Sequence, residues 1–535
     1  MRNHFLNLLS CCVWWYREDL QDLRKWLNHN AGDLTARKQG LLLCEVQIYV
    51  GWVPFYLSLV ARLTANKIGA RPVAFNFQFS KVPLLLRATF QALGLPVLWT
   101  KPKGANEDRV KKTLGSISSG RGLLRLRMNK ILVGDLIYDT FLREAFRATV
   151  LPGDLHSEHM RRIVSETISI LDFAEDLLQK QNIRGLIQDH SGYYIYHGVL
   201  SRRLARAKIP VFNYADRNSV GLGRVLWSQE QTCSTHNAYW LYPKAFRKLG
   251  HRQKRRALCI GKAFIKKRFK GVSDDLILPG VSAYAPNKIT AGSLAAFEKI
   301  PRPTVLVFMH EFNDAVHCYR SALFADFWEW INYLCREASQ TPFHWLLKPH
   351  LATNILGREK MRALSQNCVK ELKNRYPKLT FISEQTSNTD LLSLRPSSAF
   401  TMYGTVAHEM AWIGIPVVAC NDHPHIAYRF SLTARTKKEL KKMIHSADKL
   451  RKPKAKKKIC EYLYMHYFYQ AHHGLFVDQL TSSPPTTTLG RNPEDILRQT
   501  THMQRASDLE KISSLKEKIA RSIDLDNPLS GRLAF

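Results

Sequence analysis

The 535-residue sequence is short of acidic residues: 44 Asp and Glu stand against 79 Lys and Arg, giving a formal net charge of +35. Other familiar signals are also missing. The ten cysteines include no C-x-x-C pair and have no His-rich companion, so neither a zinc site nor a disulfide framework is signalled, and reduced thiols are expected. The apolar patch from Phe5 to Trp15 lacks a small-residue cleavage signal and is too short to span a bilayer. The longer run from Leu41 to Leu63 contains Glu45, Gln47, Gly51 and Pro54, so it reads as strand, loop and helix. The expected location is cytoplasmic, with the inner face of the cytoplasmic membrane as a peripheral docking surface. No D-x-D element stands in a suitable loop, and no metal or other cofactor is expected.

What is present is a folded composition, 45% hydrophobic and 23% charged, on a chain long enough for two or three domains. The excess of positive charge favours polyanions: nucleic acid, anionic lipid or acidic polysaccharide. Nucleic acid is the weakest of these, because the basic runs Arg252 to Gly271 and Lys437 to Lys458 lack interleaved aromatics and no recognition motif is present.

The first half alternates β-branched runs, Gly or Pro breaks and amphipathic stretches. Cys44 to Val50, Pro72 to Phe79, Leu95 to Thr100, Ile183 to Gln188 and Ile209 to Tyr214 read as strands, and Ser157 to Gln181 is the clearest amphipathic helix. A second such series starts at Pro303 and runs through Phe343 to His350, Leu379 to Glu384 and Phe400 to Cys420. Consecutive βαβ units imply parallel sheets. The expected organisation is an α/β domain at 1–227 with a helical insertion, a basic helical region at 228–300, a second α/β domain at 301–450, and C-terminal helices with a polar tail at 451–535.

Ligands of parallel α/β sheets bind beyond the C-terminal ends of the strands, so polar residues at those positions are the candidates. His310, Glu311, Asn313 and Asp314 follow one strand and can orient a sugar or its leaving phosphate; an Asp/Asn turn would also explain them. Lys348 and His350, stiffened by Pro349, follow the next and suit an anion in a water-poor crevice. Ser387, Asn388 and Thr389 follow a third, where helix capping is the competing explanation. In "YGTVAHEMAWIGIPVV" (Tyr403 to Val418), Gly404 allows close backbone approach, Thr405 and Glu409 share a helix face, and His408 lies between them.

That last segment resembles the donor site of GT-B glycosyltransferases, and its succession after "FMHEFNDAVH" and "LLKPH" resembles bacterial capsule and surface polysaccharide transferases, with the Lys-Pro-His element similar to the His-Pro region of Kdo and sialic acid transferases. The resemblance covers about residues 303 to 430. It implies two Rossmann-type domains with parallel sheets facing a central cleft, and transfer of a sugar from a nucleotide-sugar donor to a polysaccharide or lipid-linked glycan. Carried over, Gly404, Thr405 and Glu409 hold the nucleotide, and Lys348 and His350 its phosphate. The order here is Pro349-His350 rather than His-Pro, so UDP, GDP and CDP donors stand beside CMP. Asp189 and His190, after the strand at 183–188, are the preferred base for the acceptor hydroxyl, with Glu45 a weaker choice. A UDP-sugar 2-epimerase, a CDP-polyol phosphotransferase of the teichoic-acid type and a non-enzymatic polyanion-binding protein remain the alternatives.

Overall fold

The computed structural model describes residues 40–45, 53–75, 93–98, 104–188, 192–216, 219–224, 239–271, 300–319, 322–350, 358–420 and 422–469, with short pieces at 24–25, 27–29, 90–91, 226–227, 233–234, 283–285, 294, 297 and 475–476. The first half holds β1 (Leu41–Glu45), α1 (Val53–Ile68), β2 (Arg71–Phe75), β3 (Val97–Leu98), α2 (Gly134–Ala145), α3 (Glu158–Lys180), β4 (Ile183–Gln188), α4 (Tyr194–Arg206), β5 (Val211–Asp216) and β6 (Ser219–Arg224). Its sheet runs in the order β3-β2-β1-β4-β5-β6, parallel through β5 and antiparallel at β6. Every residue of β1 is buried, because a central parallel strand is covered on both faces.

The strand expected at Cys44 to Val50 begins earlier, at Leu41, where Leu41 to Leu43 take register against Arg71 to Val73; residues 46–50 lie outside the described residues. Leu57, Leu59, Val60 and Ala61 of α1 are within 1% of full burial, so this part of the Leu41–Leu63 run packs inside the protein. Among the described residues no helix is long and apolar enough to cross a membrane. The expected long helix is α3, whose N-cap Ser157 accepts a hydrogen bond from the Met160 amide at 3.2 Å.

Beyond the first sheet runs α5 (His251–Phe269), followed by β7 (Thr304–Phe308), α6 (Phe327–Ala338), β8 (His344–Lys348), α7 (Arg358–Arg375), β9 (Thr380–Phe381), α8 (Asn388–Ser393), β10 (Ser398–Thr401), α9 (Val406–Trp412), β11 (Val417–Cys420), β12 (Leu432–Ala434), α10 (Lys437–His445) and α11 (Lys456–Leu463). The second sheet is parallel throughout, in the order β9-β8-β7-β10-β11-β12. Numbered within its own half, this is the 3-2-1-4-5-6 order of a Rossmann sheet. The protein is therefore an α/β molecule with two Rossmann-type halves, each around its own apolar core. The chain then returns to the first half, where Leu475–Phe476 lies antiparallel on β6.

One group of contacts here ties the halves together, and another anchors the basic helix to the second half. The Tyr138 hydroxyl of α2 donates to Asp326, which also caps α6 by accepting from the Glu329 amide at 2.7 Å; Arg121 pairs with Glu329. Helix α5, for its part, lies across α11 and joins a third apolar cluster with Tyr428, Phe430 and Ala411. The buried residues of α5 are Ala257, Gly261, Phe264, Ile265 and Arg268, a helical stripe hidden within the basic run. A Cβ on Gly261 would stand 2.1 Å from the Cys460 carbonyl oxygen. Gly261→Ala is therefore expected to push α5 off α11 at a cost of about 1–3 kcal/mol, seen as a lower urea midpoint; an unchanged midpoint would mean this contact does not hold the helix.

Candidate functional site

The strand order of the second sheet reverses between β7 and β10, and in open parallel sheets ligands settle at such a reversal. The loops after these two strands are locked together by His310. Its Nε2 lies 3.0 Å from Thr401 Oγ1 and accepts from the Met402 and Tyr403 amides at 3.2 and 3.4 Å. Its ring stacks on Phe327 at 4.6 Å. Burial, with His350 nearby, pushes its pKa down to about 3. His310 was expected as a catalytic group; its acceptor nitrogen is instead occupied in shaping the β10–α9 turn. Thr401 Oγ1 also accepts from the Gly404 amide at 3.2 Å, and a Cβ on Gly404 would come within 2.8 Å of that oxygen. The glycine is required by the close approach of the turn.

At the end of β8 the Lys348 ammonium is buried, and Nζ donates to Asn388 Oδ1 at 2.7 Å. Burial depresses its pKa from 10.5 to about 8, against the opposing pull of Glu409 and Asp390. No carboxylate among the described residues stands within ion-pair distance of it. Ser387 caps α8, accepting from the Thr389 amide at 3.1 Å, and the Asn388 amide donates to the Ala283 carbonyl at 2.7 Å. Lys348 and Asn388 thus meet where β8 ends and α8 begins, with Ser387 as the cap of α8, while His350, two residues past Lys348, acts on His310. Beside Pro349 a cavity of about 570 Å³ opens between α7 and the loop after β9, with Arg362, Lys370 and Lys373 on its wall.

Helix α9 is seven residues long and its first residues diverge in environment. Thr405 is exposed. Glu409 is 1% exposed, with one oxygen paired to Arg268 and the other accepting from the Tyr284 hydroxyl at 2.7 Å. Burial would raise the Glu409 carboxyl, but Arg268, His408 and Tyr284 hold it below its ordinary value. The carboxylate expected to face a ribose is therefore engaged by protein groups on both oxygens. His408 is fully buried beside Tyr462, 5.6 Å between ring centroids, and neither ring nitrogen has a partner. Burial pushes its pKa down to about 4.

Asp189 and His190 lie outside the described residues. Glu45 is buried at the end of β1, 3.2 Å from His197 Nδ1. Sequence reasoning did not single out the residues where the crests of the two halves meet. Asp139 of α2 faces His317, in the loop after β7, with Oδ1 2.7 Å from Nδ1 and Oδ2 accepting from the His317 amide at 3.1 Å. In the same loop, Glu311 Oε1, both side-chain polar atoms of Asn313 and His317 Nε2 are buried without a hydrogen-bond partner. Burial lifts the Glu311 carboxyl to about 7, with Asp314 adding and Arg143 opposing. The signal for Asp139 was present: Asp135 and Asp139 stand four apart within a helix buried from Gly134 to Leu142. Arg268, Tyr284 and the tilted pair His423–His425 after β11, with ring centroids 3.9 Å apart, were also missed.

Among the described residues no group of three or more His, Cys, Asp or Glu is placed to hold a metal ion. No family model matches the chain, and no curated protein matches it in sequence. Solved structures similar to it include a beta Kdo 2,4 transferase, KpsC, of Thermosulfurimonas dismutans, at 13% identity and a TM-score of 0.31 over 52% of this chain and 79% of that one. Another is Anabaena Alr3699/HepE in complex with UDP and glucose, at 11% identity and a TM-score of 0.25 over 80% and 94% of the two chains. A third is the UDP-GlcNAc 2-epimerase of Neisseria meningitidis, at 10% identity and a TM-score of 0.25 over 79% and 96%.

His408 and His423 are both fully buried, and burial lowers their pKa values to about 4 and about 3. The unfolded chain binds these protons below about 6.5, whereas the folded chain refuses them until about 3 to 4. Their contribution is thus intact above pH 6.5 and is lost as pH falls towards the folded values. Between pH 6 and 4 the two are expected to add a slope of up to about 3 kcal/mol per pH unit. Urea unfolding at pH 7, 6 and 5 measures it, and a flat stability below pH 6 would contradict the burial.

Proposed function

We propose that this chain is a metal-independent glycosyltransferase that moves a sugar from a nucleotide-sugar donor to a surface polysaccharide or lipid-linked acceptor. The observation that carries the reading is Lys348: a buried ammonium at a strand end, beside the reversal of a Rossmann sheet, whose hydrogen bond goes to a neutral amide. A buried charge without a counter-charge is costly, and a donor phosphate supplies the missing one. His350 and Ser387 flank the same phosphate, while Gly404 and Thr405 frame the nucleoside. Glu409 acts on the nucleoside through Arg268 and Tyr284, which it fixes in place.

Chemically, the leaving nucleotide gains negative charge as the glycosidic bond to its phosphate breaks. A preorganised cation in a water-poor crevice stabilises that charge without reorganising, the work that a divalent cation does elsewhere. The basic wall beside Pro349 and the exposed lysines of α10 give the protein its affinity for an acidic glycan or an anionic membrane surface.

The test uses UDP, GDP, CDP and CMP with the wild type and Lys348→Met. The depressed lysine pKa means that the fold bears the full cost of the charge below pH 8 and is relieved of it as pH rises towards 10.5. Lys348→Met is therefore expected to raise apo stability by about 1–3 kcal/mol while weakening nucleotide binding about 10- to 100-fold. In the wild type, affinity should fall as pH rises through 8, where the ammonium loses its proton. A variant that binds nucleotide as the wild type does, or a wild type that binds none, removes the reading.

A further inference from the structure

The crest contacts between the two halves contain a group that the donor site does not use. His317 comes from the loop after β7 in the second half, and Asp139 from α2 in the first. Asp139 spends both oxygens on this one residue, taking the ring Nδ1 at 2.7 Å and the backbone amide at 3.1 Å. That arrangement fixes the ring plane and assigns the proton of the neutral imidazole to Nδ1, leaving Nε2 as the free base. Nε2 is buried and has no partner. The neighbouring atoms left in the same condition are Glu311 Oε1 and both polar atoms of the Asn313 side chain, which is 1% exposed. Four polar atoms of this one loop are thus buried and unsatisfied, and a hydroxyl-bearing ligand that reached His317 Nε2 would satisfy one of them.

We propose that His317, oriented by Asp139 across the boundary between the halves, is the base that takes the proton from the attacking acceptor hydroxyl, and that this base is complete only when the two halves are together. The proposal rests on the transferase reading. In the step, the acceptor oxygen forms a bond to the anomeric carbon as the carbon–oxygen bond to the donor phosphate breaks. The electron pair leaves with the nucleotide, and the hydroxyl proton passes to His317 Nε2. Asp139 keeps its own charge and stabilises the imidazolium so formed, as an orienting carboxylate does in hydrolytic triads. Splitting the pair between the halves couples proton acceptance to closure: with the halves apart, His317 loses the carboxylate that sets its tautomer.

The charged and titratable groups around the ring are Asp139 and Asp135 from α2, Asp326 ahead of α6, and Cys318 in sequence, with the Tyr138 ring edge-on at 5.7 Å. Asp135 is already neutralised by Arg202, at 2.6 and 2.7 Å. Burial alone would lower the His317 pKa; the Asp139 carboxylate, by charge and hydrogen bond, more than reverses this. A raised pKa makes His317 a stronger base that is active only above it.

The experiment takes the full chain with whichever of UDP-glucose, UDP-N-acetylglucosamine, GDP-mannose and CMP-Kdo it binds, and measures donor affinity by calorimetry and nucleotide release against pH. His317→Gln is expected to leave donor affinity within about threefold and to slow release about 10²- to 10⁴-fold. Asp139→Asn, a positioning change, should lower the rate less and move the acidic limb of the pH profile to lower pH, because the ring loses the carboxylate that raises its pKa. Glu311→Gln should leave that limb in place. If His317→Gln releases nucleotide at the wild-type rate, or if the acidic limb moves in Glu311→Gln and not in Asp139→Asn, the assignment is overturned. A His317→Gln protein that loses donor affinity together with turnover also overturns it, since the ring would then serve the donor or the fold. A wild type that binds none of the four sugars overturns the transferase reading, and this assignment with it.

Discussion

The Lys348 ammonium sits where a Rossmann sheet concentrates its ligands, with an amide for a partner and the nearest carboxylates too distant to pair. Such a charge lowers the stability of the fold that contains it, and most proteins avoid it or neutralise it. Here the surroundings are built around keeping it. His310 pins the turn after β10, the Thr401 hydroxyl draws in the Gly404 amide, and Ser387 and Asn388 hold the start of α8 against the lysine. These hydrogen bonds hold the crest in one arrangement, as the proposed stabilisation of a leaving phosphate would require.

A second level of organisation runs between sequence-distant segments. Glu409, one turn into α9, reaches Arg268 on α5 and Tyr284. Breaking such a buried pair leaves an uncompensated charge, so the position of α5 and that of α9 are coupled energetically. Because α5 also lies on α11, the region between the α/β halves and the helices after the second sheet form one support for α9. The α2 helix plays the corresponding role on the other side: Tyr138 and Asp139, adjacent in sequence, meet Asp326 and His317 across the boundary.

Much of this was legible in the sequence, and the failures have physical causes. The strand Ile183–Gln188 and the helix after Ser157 were read at their observed bounds within a residue, since the apolar period and the cap are local properties. Lys348 and Asn388 were read as strand-end residues and do meet there, because polar residues directly after an apolar strand have few places to go. Burial was harder to read. Glu409 reads as an open carboxylate, but its partner Arg268 lies 141 residues away, in a run whose charge concealed the stripe formed by Ala257, Gly261, Phe264, Ile265 and Arg268. Asp139 and His317 meet only through the docking of the two halves, 178 residues apart, and no local pattern encodes that meeting.

The central claim is that a nucleotide settles at the reversal point of the second sheet, against Lys348. Amide hydrogen exchange on the full chain, with and without saturating UDP, GDP, CDP or CMP, tests it most directly. The account expects one of these nucleotides to slow exchange in 401–409, 348–350 and 387–391 together, leaving the core of α3 unchanged. Slowed exchange confined to the basic helices at 251–269 or 437–445, with the crest segments unaffected, would contradict it.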